Sequence, residues 1–143
     1  MSGLDGQVKH LLEPMMLGKS RRLSPQQQLT IAAWAAMKSM VLEYFWGSEQ
    51  VVVLPQVART FVFRHQRPPE NMQIRIAAVE SLGRPALVHR RVYRLQPKAD
   101  SVALPEFASC STISLGCFVM QTYGTSIHSP AAPPTRTATT TWS

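Results

Sequence analysis

At 143 residues with 45% hydrophobic content, the chain has material for one compact core and too little for a second full domain. Its net charge of +7 is uneven, since residues 1 to 98 carry 14 Lys and Arg against 6 Asp and Glu while residues 99 to 143 carry 1 against 2. A pI near 10.1 favours anionic partners such as nucleic acid, through long-range attraction and counterion release, although a basic solvated surface accounts for the same charge. The most apolar segment, Ile31 to Trp46, is interrupted by Lys38, Ser39 and Glu43. It falls short of the roughly 20 apolar residues of a bilayer span, so it reads as a core helix and no membrane contact is expected. The N-terminus shows no basic stretch running into an unbroken apolar one, and a cytoplasmic location is expected.

In chain order, Leu4, Val8, Leu11, Leu12, Met15 and Met16 recur at helical spacing, which predicts an amphipathic helix over 4–17 ending near Gly18. Pro14 should kink or shorten it, because proline lacks the backbone donor and crowds the preceding turn. Lys19, Arg21 and Arg22 follow as a basic connector. Ser24, Pro25 and Gln27 form a capping box at the start of a second helix over about 25–46, with Gly47 placed to stop it. Its stripe of Ile31, Trp34, Val41, Leu42 and Phe45, widened by Met37, Met40 and Tyr44, makes it apolar over most of its circumference. Pro55 to Gln66 predicts a shorter third helix with Val57, Phe61 and Val62 inward and Arg59, Arg64 and His65 outward, ended by Arg67-Pro68-Pro69. The period then changes to two. Met72, Ile74, Ile76 and Ala78 alternate as a first strand, residues 86–96 after the Gly83-Arg84-Pro85 turn form a second, and 109–124 form a third. From Thr125 onward the chain is rich in Ser, Thr, Pro and Ala and reads as a disordered tail.

Several of these residues carry a family resemblance. Leu4, Val8, Leu11 and Leu12, the Met-x-Leu-Gly of Met15 to Gly18, Leu23-Ser24-Pro25, Trp34-Ala35, Met40 to Glu43 and Arg67-Pro68-Pro69 lie within residues 1 to 80. Together they resemble the region that follows the metal-binding core in a bacterial family of HNH-endonuclease-like proteins. Gly116 with Phe118-Val119-Met120-Gln121 resembles, more weakly, a later Ile-Gly-x-Leu-Val-x-Gln element of that family. The resemblance implies a scaffold lying after a cysteine-rich core, and a reading frame that extends upstream of Met1 or is a decayed copy of one that did.

The family's catalytic and zinc residues have no counterpart here. The histidines are His10, His65, His89 and His128 and the only asparagine is Asn71, none at HNH spacing. Cys110 and Cys117 have no second pair to form a zinc knuckle. On one strand they would lie about 23 Å apart, too far for a disulfide, and buried reduced thiols are expected. No Gly-x-Ser-x-Gly and no phosphate loop occurs, so no catalytic residue, metal or cofactor is assigned. Glu43 stands out, since a lone charge on an apolar helix is costly; it should pair with Lys38 or an arginine, or face a site built with residues upstream. Arg90, Arg91, Tyr93, Arg94 and Lys98 are the nucleic-acid candidates, with Arg90 and Arg94 on one strand face and His89, Arg91 and Tyr93 on the other.

The expectation is therefore an α+β domain over 1–124, with two long helices, one short helix and a small, mainly antiparallel three-stranded sheet, then a tail over 125–143. Its expected role is that of a non-catalytic accessory domain binding DNA or RNA weakly through a basic face. The alternative is a purely structural domain, or a truncated gene product, with no activity of its own.

Overall fold

The computed structural model describes residues 3–45, 53–80, 86–95 and 106–126. Helices α1 (Gly3–Met16), α2 (Pro25–Phe45) and α3 (Gln56–His65) precede strands β1 (Met72–Ala78), β2 (Ala86–Leu95), β3 (Glu106–Leu115) and β4 (Phe118–Thr125). All strand pairs are antiparallel, in the order β1-β4-β3-β2. The class is α+β, but the three-stranded expectation is corrected to a four-stranded sheet. The stretch read as one strand over 109–124 is a hairpin, closed by the Leu115↔Phe118 pair.

Gly116 sets that turn. Its φ of +60° is the left-handed value that primed hairpin turns need at their first loop position. A Cβ there would also collide with the Met16 carbonyl oxygen. The close approach has a purpose, because the Cys117 N–H donates to that same oxygen at 2.9 Å and fastens the hairpin tip to the end of α1. The two cysteines are free, as expected of reduced thiols, but half-buried rather than buried, Cys110 on the strand and Cys117 at the tip.

Helix α1 runs through Pro14 to Met16 without the expected early end. Proline cannot donate to the carbonyl four residues back, which belongs to His10. The Arg21 guanidinium donates to it instead, at 3.3 Å. Helix α2 starts as its capping box requires: the Gln27 N–H donates to Ser24 Oγ at 3.2 Å and the Ser24 N–H to Gln27 Oε1 at 2.9 Å. Its buried apolar residues are Ile31, Ala33, Trp34, Ala35, Ala36 and Met40, and Ser39 and Glu43 are buried with them. Val41, expected in the core stripe, is exposed; Trp46 and Gly47 lie outside the described residues.

In α3 the inward line is Ala58 and Val62, one turn apart, because Pro55 occupies the N-cap and the helix starts at Gln56. Val57 is therefore exposed rather than inward, Phe61 is half-buried, and Arg59, expected outward, turns toward α2. Helices α1 and α2 pack on one face of the sheet, and α3 packs on α2, its Ala58 and Val62 joining Met72 of β1 in a second cluster on that side. Leu4, Val8, Leu11, Leu12 and Met15 of α1 and Ile31 and Trp34 of α2 meet Ile113, Phe118 and Met120 of the sheet. Trp34 Nε1 donates to Asp5 Oδ1 at 2.9 Å, Lys38 Nζ lies 3.0 Å from the same oxygen, and the Lys38 ammonium sits over the indole. The sheet continues through Thr125, and Ser126 bonds to Phe107 through its N–H and its hydroxyl. The tail expected over 125–143 is thus corrected at its first two residues, which are part of the sheet's hydrogen bonding, and from 127 on it lies outside the described residues.

Candidate functional site

The register sorts the sheet residues into two faces, since directly opposed residues on neighbouring strands project to the same side. On the helix-covered face one row reads Ile74↔Thr122↔Ser111↔Arg90, with Ile76↔Met120↔Ile113↔Val88 beside it. On the open face the row Gln73↔Tyr123↔Cys110↔Arg91 lies next to Arg75↔Gln121↔Thr112↔His89, with Tyr93 one position beyond Arg91 on that face.

Arg90 belongs to the covered face and leaves the nucleic-acid surface proposed for it from sequence. Its side chain is 4% exposed, and Nη2 lies 3.6 Å from Glu43 Oε1. Glu43 itself is fully buried on α2. It also pairs with Arg59 Nη2, and it accepts from the Val53 and Leu54 N–H groups at 3.3 Å each. Arg59 further donates to the Leu54 and Met40 carbonyls, both at 3.3 Å. One carboxylate thus ties α2 to α3, to the segment before α3 and to strand β2. The pairing with an arginine expected for Glu43 is found, with two of them. Burial pushes its pKa above the ordinary 4.5, and Arg59, the Leu54 N–H, Arg90 and the Val53 N–H pull it part of the way back. Next to Arg90 in the row, the Ser111 and Thr122 hydroxyls are buried without a hydrogen-bond partner.

Of the other sequence candidates, Arg91 and Tyr93 lie on the open face, Arg94 is exposed at the strand end, and Lys98 lies outside the described residues. Strand pairing adds residues that the sequence reading had not grouped with them. Arg75 and Gln73 on β1 and Gln121 and Tyr123 on β4 line a recess of about 240 Å³. Tyr93 and Tyr123 are 45% and 39% exposed. Through this pairing the open face gathers Arg75, His89 and Arg91 with two tyrosines; the rows from Gln73 to Arg91 and from Arg75 to His89 hold no carboxylate, and the register brings Glu106 onto this face beyond Tyr93, opposite Leu95.

A second concavity, of about 530 Å³, lies between the helices and is lined mainly by Leu4, Met37, Met40, Val41, Val62 and Phe63. Among the described residues no group of three His, Cys, Asp or Glu side chains could hold a metal ion, and no helix is long and apolar enough to cross a membrane. Compared with known proteins, the chain matches no family model, no curated protein and no solved structure.

Proposed function

We propose that the chain is a non-catalytic accessory domain that holds nucleic acid weakly on the open face of its sheet, in the cytoplasm, within the HNH-endonuclease-like lineage that residues 1 to 80 resemble. The observation that carries this reading is the open face itself, where Arg75, His89 and Arg91 stand beside Tyr93 and Tyr123 and the two rows that hold Arg75 and Arg91 contain no carboxylate. Guanidinium groups contact phosphate, exposed aromatic rings accept bases, and the +7 charge raises the local concentration of polyanions. Arg90 takes no part, because Glu43 holds it in the core.

The test is fluorescence anisotropy of labelled oligonucleotides across a salt series. Affinity should fall steeply as salt rises, and the double variant Arg75→Ala, Arg91→Ala should lower the log–log slope by about 2, one for each phosphate contact removed. No binding at low salt, or a slope unchanged in the variant, would overturn the reading. A second reading, a structural domain that packs against another protein surface, is favoured by the apolar concavity between the helices, where Phe63 is 85% exposed.

A further inference from the structure

We infer that the open face selects single-stranded nucleic acid over duplex, with one unpaired base seated in the recess of Gln73, Arg75, Gln121 and Tyr123. The inference rests on the nucleic-acid reading above and adds the form of nucleic acid and the site for its base.

The four recess residues are two directly opposed cross-strand pairs, Gln73↔Tyr123 and Arg75↔Gln121, set two residues apart along both strands. The pairs therefore stand about 7 Å from each other, and within each pair the strands are about 4.8 Å apart. Each side chain brings a different chemistry to that block. The Tyr123 ring offers a face for stacking, and the Arg75 guanidinium offers a planar fork for a phosphate or a base edge. The two carboxamides can each donate and accept, as the Watson–Crick edge of an unpaired base requires. Gln121 is already positioned, since its amide nitrogen donates to Thr112 Oγ1 at 3.3 Å, leaving its carbonyl oxygen as an acceptor. The recess offers about 240 Å³ between these four side chains.

Geometry also argues against a duplex. The major groove of B-DNA is about 12 Å wide and admits a helix or a two-stranded ribbon. Here the row from Arg75 to His89 crosses four strands, so the strand axes alone span about 14 Å before side chains are added. Such a surface cannot enter the groove and meets a duplex only at its phosphates, where neither tyrosine has a base to stack on. A single strand can cross from Tyr123 to Tyr93, roughly 12 Å away by strand spacing and rise, with Arg91 between them for the backbone.

The experiment compares one labelled oligonucleotide, as single strand and as blunt duplex, with the full chain at fixed salt, using polyglutamate as an unlabelled competitor. The single strand should bind at least about fivefold more tightly, which is one stacked base's worth. Tyr123→Leu should weaken single-strand binding by roughly 5- to 100-fold and leave duplex binding unchanged, whereas Tyr123→Phe, which keeps the ring, should retain it. Equal affinity for the two forms, or equal losses in the leucine variant, would overturn the single-strand inference while leaving the basic-face reading intact. Displacement by polyglutamate as effective as by unlabelled single strand would also overturn it, since charge alone would then explain the binding. Absence of binding to either form would overturn both readings. Because Tyr123 is 39% exposed, its variants should melt with the parent, and the binding comparison is made with variants whose melts match it, so that equal losses report on the site and not on unfolding.

Discussion

Replacing Glu43 by alanine and by glutamine should have unequal effects, because one change empties the clasp and the other copies its protonated form. In Glu43→Ala, Arg90, 4% exposed, and Arg59, 13% exposed, lose the Glu43 carboxylate, and the Val53 and Leu54 N–H groups lose their acceptor. Breaking a buried ion pair from one side costs about 3 to 5 kcal/mol, which in a domain of this size lowers Tm by roughly 6 to 20 °C. Glu43→Gln keeps the volume and one acceptor oxygen. Burial holds the Glu43 proton above the ordinary value of 4.5, so the neutral group is the form that the folded protein tolerates better. The stability contributed by protonated Glu43 is full below about pH 4.5 and is lost as pH rises through the folded pKa. The parent should therefore match the glutamine variant in acid and lose ground to it as pH rises. Urea unfolding followed by circular dichroism from about pH 4 to about pH 8 measures both quantities. A parent that gains on the glutamine variant as pH rises would refute the argument, because it would mean that the two arginines outweigh desolvation. An alanine variant costing under about 1 kcal/mol would show that the clasp carries no load.

Trp34→Ala should cost about 3 to 5 kcal/mol in chemical denaturation, since it removes a buried indole and its bond to Asp5; a loss under about 1 kcal/mol would take α2 out of the centre of the core. Gly116→Ala should destabilise by at least about 1 kcal/mol, from the left-handed φ and the collision with the Met16 carbonyl, and a melt equal to the parent's would mean that the hairpin tip is not docked on α1. Thr122→Val replaces a buried, unbonded hydroxyl by a methyl of the same shape and should leave stability unchanged or raise it; a loss beyond about 1 kcal/mol would reveal a bond to that hydroxyl.

What the sequence made readable was mostly local. Ser24, Pro25 and Gln27 announced α2 because a capping box joins residues three apart, and the 3.6 period of Leu4, Val8, Leu11 and Met15 announced α1. The sheet was harder. The alternating run over 109–124 has no polar break at its turn, where Gly116 and Cys117 stand between Leu115 and Phe118. Its 16 residues were nevertheless a warning, since strands average about 5 or 6. Arg59 and Arg90 were placed outside because charge usually points to water. The signal against that was Glu43, whose position on an apolar helix demanded cationic partners that only the fold could identify. The recess was hidden for a different reason: Arg75 and Tyr123 stand far apart in the chain and meet only through the β1–β4 pairing.

Arg90 also has a consequence for strand register. Strand β2 is an edge of the sheet, where a slip by one residue would cost little if its side chains were alike on both faces. With Arg90 inward, such a slip would turn that guanidinium to solvent and point Arg91 or His89 under the helices, away from the alignment that reaches Glu43. An inward charge on an edge strand also discourages a second chain from adding there, because the incoming strand meets a border fixed in one alignment and flanked by Arg91 and Arg94. The clasp thus acts as an alignment pin for one edge strand of the sheet, and it disfavours growth of the sheet past that strand into a larger aggregate.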